Sequence, residues 1–504
     1  MNAPVRSKKL APAVRPDVDV AILGSGFSGL GMGVAMLKEG RTDFVILEKA
    51  DSVGGTWRDN TYPGCACDVS SHLYSFSFEP NPNWSRMFAP QAEIRAYLDQ
   101  VADKYGLRPH LRFNKKVTEM RYDDAAGFWR IHTADGATMT ARVVASGMGG
   151  LSRPVYPNIE GAKDFKGAAF HSAEWDHSYD FRGKTVAVIG TGASAIQFVP
   201  QIQPLVSKLH LFQRTPPWIM PKADRPMRGW EKALFARFPF FQKLLRGSIY
   251  CENEVRALGF NVSPKIMAIA QSVAENHLKK QVADPVLRKR LTPDYTMGCK
   301  RVLISNDYFP AVAQANVELV TDGIDRITPN GVMTKDGVER PVDAIIYGTG
   351  FAATDALNPV QVYGPGGRHL NEEWDPAAEA YLGISVSGYP NLFFLMGPNT
   401  GLGHNSMIYM IESQIGYVME TIHLMEARGA VAIAPRKDVQ DAYNARVQAK
   451  VNKTVQQQGG CVSWYQTADG RNTTIWPDFT FTYRKKTKAV DPEAYEYVKA
   501  PVTA

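Results

Sequence analysis

Two segments far apart in the chain repeat one pattern: an apolar run rich in β-branched residues, a glycine loop, a helix-forming stretch and a second apolar run. The first reads Val18-Asp-Val-Ala-Ile-Leu23, then Gly24-Ser-Gly26-Phe27-Ser-Gly29, a helix to about Lys38 and a strand from Phe44 to Glu48. The second reads Thr185-Val-Ala-Val-Ile189, then Gly190-Thr-Gly192-Ala193-Ser194-Ala195, a helix to about Ile202 and a strand from Lys208 to Gln213. Continuous apolar runs of this kind suit strands buried on both faces of a parallel sheet. The pattern predicts an α/β fold with two Rossmann-like dinucleotide-binding domains, and therefore two nucleotide cofactors.

The loops differ in what they should hold. In each, the first glycine permits a tight turn, the second lets a pyrophosphate approach the backbone, and the third position must be small so that helix and strand pack closely. The helix start then turns its free amides and positive dipole end to the phosphates. After the first loop, Glu48 closes the next strand, where a carboxylate accepts hydrogen bonds from ribose hydroxyls. After the second, Gln213 occupies that position and Arg214 follows it. Loss of the carboxylate removes a repulsion, and a guanidinium grips a 2′-phosphate in two-pronged fashion, so this loop should take NADPH over NADH.

Composition bounds the rest. A chain of 504 residues with 44% hydrophobic and 21% charged residues is globular, with no sign of coiled coil, collagen or wholesale disorder. The net charge of +7 is mild and no basic block stands out, which argues against a nucleic-acid groove. Residues 1–17, with Pro4, Pro12 and Pro16, read as a flexible tail. The uncharged stretch from Val20 to Leu37 is too glycine-rich for a membrane anchor or export signal, so no membrane partner and a cytoplasmic location are expected.

The five cysteines suggest no disulfide framework and fit a reducing compartment. Cys65 and Cys67 are read as structural, and no spacing indicates a metal site. The expected division is a first part of one dinucleotide-binding domain over 18–150, an NADPH domain over 151–345 and a second part of the first domain with a C-terminal tail over 346–504. Between Trp230 and about Leu291 the apolar spacing turns helical, which predicts an insertion in the NADPH domain over about 225–291.

Between the two units lies Phe165-Lys-Gly167-Ala-Ala-Phe-His171-Ser-Ala-Glu-Trp175-Asp176. It resembles, at every fixed position, the F-x-G-x-x-x-H-x-x-x-W-(P/D) fingerprint of type I Baeyer–Villiger monooxygenases. The likeness extends over Gly54-Gly55-Thr56-Trp57 to Phe78, Tyr347-Gly-Thr-Gly-Phe351, Gly397-Pro-Asn-Thr-Gly-Leu-Gly-His404 and Cys461-Val-Ser-Trp464-Tyr465. Tyr308-Phe309 stands where many members carry two tyrosines.

The resemblance implies FAD at the first loop, held by Gly24, Gly26, Phe27, Gly29, Glu48, Gly55, Thr56, Trp57, Asp68 and Tyr74. It implies that Lys300 assists Arg214 at the 2′-phosphate, beside Gly190, Gly192, Ala193, Ser194 and Ala195. Trp464 is similar to the tail tryptophan that closes over the nicotinamide. Arg301 becomes the active-site arginine and Asp68 its carboxylate partner.

The implied reaction is oxygenation of a small-molecule ketone by NADPH and O₂. A flavin C4a-peroxide attacks the carbonyl, and a tetrahedral Criegee adduct collapses to an ester or lactone. A guanidinium is always charged in a protein, so Arg301 offers a fixed positive charge to the oxyanions along this path. His171 is expected to set the orientation of the two domains. The nearest alternative is a flavin-containing monooxygenase that oxygenates soft sulfur or nitrogen, which usually lacks the Trp-Asp ending; a flavin reductase or oxidase releasing H₂O₂ also stays open. The ketone and the oligomeric state cannot be read from the chain.

Overall fold

The computed structural model describes residues 15–499 apart from 263 and 356, so all but the last three residues of the expected N-terminal tail lie outside the described part. The strand Val18–Leu23 sits inside a nine-stranded sheet, with Phe44–Leu47 parallel on one side and Thr138–Ser146 parallel on the other. Alternate residues feed different cores. Val20 and Ile22 pack with Leu30, Met32 and Val34 of the helix Phe27–Lys38, whereas Ala21 and Leu23 pack with Trp129, Leu392 and Phe394. Both faces are thus covered, which is why the run is apolar without alternation. The distant strand Tyr389–Phe394 returns to pair in parallel with Thr138–Ser146, setting Leu392 beside Val144. The chain after the second unit therefore completes the first.

The second sheet is fully parallel, in the order Val317–Val320, Lys208–Phe212, Thr185–Ile189, Ala344–Tyr347, Ala168–His171. The chain enters it through Ala168–His171 and leaves through the neighbouring Ala344–Tyr347, with His171 beside Tyr347. Just outside, Pro154 and Phe351 form an antiparallel bridge. The two crossings between the units therefore run side by side.

The helical segment is present as Gly229–Arg237, Pro239–Ala257, Pro264–Gln281 and Pro285–Leu291, with a π-helical turn at Leu258–Val262. It is tied to the first unit. Gln242 Nε2 donates to the Asn81 carbonyl at 2.7 Å, and Arg246 Nη1 donates to the carbonyls of His72 and Ser75 at 2.7 and 3.0 Å. Among the described residues, no helix is long and apolar enough to cross a membrane.

His72 is buried under this segment, and burial lowers its pKa from 6.5 to about 4, with Arg246 and Arg225 pushing the same way against Glu231. An unfolded chain takes up the proton first as the pH drops, so this group withdraws stability as pH falls from 6.5 towards 4, on the order of 3 kcal/mol in all. The melting temperature of a His72→Gln variant should consequently depend less steeply on pH across that window than that of the parent. Parallel curves would show that His72 does not carry the effect.

One expectation is corrected. Cys299 and Cys461, 162 residues apart, are joined in a disulfide, because the C-terminal tail folds back onto the loop before Lys300. Spacing along the chain contains no trace of that return. Cys65 and Cys67 are free and buried, and Cys251 is free and exposed.

Candidate active site

The first glycine loop leaves a cradle. Gly24 has φ of 89°, and a Cβ there would stand 2.9 Å from the Gly147 carbonyl oxygen. A Cβ on Gly29 would overlap the Gly24 carbonyl oxygen, so helix and strand meet only because the third glycine is bare. Gly26 precedes the helix without any side chain capping its first amides, which leaves them to a phosphate. A Gly29→Ala variant should lose about 3 kcal/mol of stability from overpacking and purify with little flavin absorbance. A full complement of flavin at an unchanged melting temperature would show that the close approach is dispensable.

Glu48 is buried at the end of its strand. Its Oε2 accepts from the Ser25 amide at 2.9 Å and the Ser25 hydroxyl at 2.7 Å, and its Oε1 faces Arg58 Nη1 at 2.9 Å. Burial pushes the carboxyl up, but these partners win and hold it below its ordinary range. Gly55 lies against Gly26 and opens the short helix Thr56–Asp59. Trp57 Nε1 donates to the Tyr74 hydroxyl at 3.1 Å, and the Phe27 ring meets Tyr74 edge-on at 5.2 Å. Tyr74 in turn lies close enough to Asp68 and Arg301 to feel both charges. The residues expected at the flavin thus form one connected rim.

At the second loop, Gly190 has φ of 108° and a Cβ there would run into the Gly348 carbonyl, whereas a Cβ on Gly192 would meet nothing within 4 Å. That open space is where a pyrophosphate needs room. Ala193 is exposed, Ser194 leaves the helix start without a side-chain cap, and Ala195 begins the buried face of the helix Ala195–Ile202. Gln213 is buried and donates from Nε2 to the Arg290 carbonyl at 2.8 Å. Arg214 is exposed beside Lys300, whose ammonium is held below its ordinary pKa by burial and by the Arg214 charge. Two cations pressed together without a nearby carboxylate strong enough to offset them suit a phosphate dianion.

Arg301 sits where the two halves meet. It precedes the short strand Leu303–Ile304, which pairs with Ile219–Met220 and so anchors the loop. Its Nε and Nη2 both donate to Asp68 Oδ2, at 2.9 and 2.6 Å, and Nη1 reaches the Leu402 carbonyl at 3.5 Å. The neighbouring Asp68 charge raises the guanidinium pKa further, so it keeps its proton at any working pH. The side chains of Arg301 and Asp68 are 29% and 31% exposed, which leaves one face of the pair open.

Two contacts here were not anticipated. Tyr465 is buried against Arg301, while Trp464 is 44% exposed and tilts against the Tyr465 ring at 4.3 Å. The family likeness singled out Trp464 in this tail, and the neighbouring Tyr465 is the one of the two aromatics that is buried. Glu254 of the helical segment accepts from Asn405 Nδ2 and Thr480 Oγ1, both at 2.6 Å, beneath the loop that carries Leu402. Burial raises this carboxyl, and the hydrogen bonds outweigh it to leave its pKa lowered. His404 Nε2 stands 3.6 Å from Glu254 Oε1, too far for a hydrogen bond.

The linker motif is structural in its contacts. A Cβ on Gly167 would clash with the Asp343 carbonyl, and Phe165 packs on the core of the second sheet. His171 is fully buried, with Nδ1 accepting from the Ala173 amide at 3.1 Å and its ring against Tyr156 and Phe351. Trp175 packs among Phe170, Phe181 and Phe198, and Asp176 accepts from the Ser178 amide and hydroxyl.

Known proteins resemble this chain in sequence and fold. The profile of the flavin-binding monooxygenase-like family matches residues 17–357. A Baeyer–Villiger monooxygenase of Pseudomonas aeruginosa is 52% identical over 499 residues, covering 99% of this chain and 95% of that protein. The crystal structure of OTEMO in complex with FAD and NADP superposes with a TM-score of 0.87 at 28% identity, over 96% of this chain and 100% of that one. A closed structure of cyclohexanone monooxygenase gives 0.86 at 28% identity, over 96% and 99%. With its cradles for FAD and NADPH and this likeness along nearly its whole length, the chain belongs to the flavin-binding monooxygenases, on their Baeyer–Villiger branch.

Proposed function

We propose that this enzyme inserts one oxygen atom from O₂ beside the carbonyl of a small-molecule ketone, giving an ester or lactone, and that Arg301 and Asp68 carry the selectivity of the step. The observation that supports this most is the two-pronged grip of Asp68 on Arg301 at the junction of the two nucleotide cradles. Bound FAD supplies the redox chemistry, taking a hydride from NADPH and delivering one oxygen atom of O₂.

The protein's own residues do the rest. Glu48 and the amides after Gly26 hold the flavin nucleotide. Phe27, Trp57 and Tyr74 wall the ring site. Arg214 and Lys300 take the 2′-phosphate, and Trp464 covers the nicotinamide side. Arg301, held by Asp68 on one edge and only at 3.5 Å by the Leu402 carbonyl at Nη1, offers its remaining donors to negative charge on the transferring oxygen and on the former carbonyl oxygen. Asp68 fixes the plane of the guanidinium and partly offsets its charge. His171, beside the two crossings of the chain, positions one domain against the other. We place the enzyme in the cytoplasm, where NADPH is regenerated.

The test is product analysis by mass spectrometry under ¹⁸O₂ with NADPH and a panel of cyclic, linear and aryl ketones. One labelled oxygen per ester, in step with NADPH consumed, is expected for at least one class. Consumption of NADPH with only peroxide released across the panel would overturn the reading.

A further inference from the structure

We propose that Cys299 and Cys461 form a reversible thiol–disulfide site that tethers the C-terminal tail over Lys300 and Arg301. Cys299 is fully buried and immediately precedes Lys300, and its partner lies just before Trp464 and Tyr465 in the tail. Apart from the buried Ser463 and Tyr465, that stretch of tail is thinly held. Val462 is 85% exposed and Trp464 44%. Its hydrogen bonds are local, such as Ser463 to Gln466, and the nearest backbone tie to the loop is the Thr296 amide on the Gly459 carbonyl at 3.0 Å. The covalent bond thus fixes whether Tyr465 stays against Arg301 and whether Trp464 can swing away.

The surroundings also set which sulfur reacts. Cys461 is half-buried, whereas Cys299 is sealed in a cluster with Trp218, Phe260 and Met297. Thiol chemistry proceeds through accessible sulfur. Hydrogen peroxide, which a reduced flavin releases when O₂ reacts without substrate, is the oxidant. The Cys461 thiolate attacks one peroxide oxygen to become a sulfenic acid, the O–O bond breaks, and the departing hydroxide takes up the proton the thiol had released to leave as water. The Cys299 thiol, held against Cys461, then attacks its sulfur, the S–S bond forms, and the thiol proton leaves with the displaced hydroxyl as a second water.

A small dithiol reverses the step. One of its thiolates attacks Cys461 and releases Cys299, and its second thiol displaces Cys461, so the dithiol leaves oxidised. The other cysteines do not compete: burial pushes Cys65 up to about 12 and raises Cys67, and Cys251 stands alone on the helix Pro239–Ala257.

The kinetic part of this inference rests on the NADPH site proposed above, and the covalent part does not. Holoenzyme treated with dithiothreitol or with hydrogen peroxide is alkylated and mapped by mass spectrometry, and NADP⁺ dissociation is timed in each form. The oxidised protein should yield the linked Cys299–Cys461 peptide and release NADP⁺ about fivefold more slowly than the reduced protein. A Cys461→Ser variant should match the reduced form and ignore the oxidant. Absence of the linked peptide after peroxide overturns the proposal, as do equal release rates with the peptide present. Loss of NADP⁺ binding in both forms would instead strike the Arg214–Lys300 site, and the peptide map would then decide the thiol pair by itself.

Discussion

An Arg301→Ala variant should still pass a hydride from NADPH to the flavin at close to the parent rate, yet make ester about 100- to 1000-fold more slowly, the usual penalty for losing one preorganised donor to a developing oxyanion. The two steps separate because they depend on different residues. In the proposed reading hydride transfer relies on the glycine cradles and on Arg214 and Lys300, whereas the Arg301 side chain is bonded to Asp68 and to the Leu402 carbonyl. Oxygen insertion relies on a positive charge that never titrates, and Asp68 makes that charge more secure by raising the guanidinium pKa. Oxygen should then leave the variant as peroxide.

Arg301→Lys keeps the charge but not the planar fork that donates both bonds to Asp68 Oδ2, so it should fall between the Ala variant and the parent. Single-turnover kinetics with NADPH, followed by product analysis, checks both halves. An Ala variant that forms ester at the parent rate would remove Arg301 from the chemistry.

An Arg214→Ala variant should lose about 10- to 100-fold in kcat/KM for NADPH while its value for NADH stays nearly level, as expected when a charge-assisted bond to a phosphate is removed. Lys300 would remain, so some preference for NADPH should survive. The crowding of Lys300 by Arg214 explains why the gain goes to a doubly charged partner: the phosphate relieves a repulsion that is present without it. Steady-state kinetics with both nucleotides decides the matter, and an equal loss for both would assign Arg214 a structural part only.

The nucleotide-binding units were legible because local rules govern them. The run Val20–Leu23 is apolar at every step since two separate cores need its alternate residues, and Gly24 and Gly29 are glycines because carbonyl oxygens occupy the space a Cβ would fill. Arg301 and Asp68, 233 residues apart, were reachable only through the family likeness, as nothing local to either predicts the other.

What stayed hidden depends on long-range return of the chain. The tail crosses back to bond Cys461 to Cys299 and to bury Tyr465, and no periodicity in 461–465 marks the inward side. Nothing local singles out Glu254 among the charges of the helix Pro239–Ala257. Its partners Asn405 and Thr480 lie in parts of the chain that only the folded insertion brings near.

The most direct trial of the charge argument offers the enzyme one molecule that carries both a ketone and a thioether, under ¹⁸O₂ with NADPH. In the proposed reading an anionic oxygen donor stabilised by Arg301 attacks the electrophilic carbonyl, so the label should enter the ester and leave the sulfur untouched. Label chiefly in a sulfoxide, with the ketone intact, would contradict the role assigned to Arg301 and Asp68.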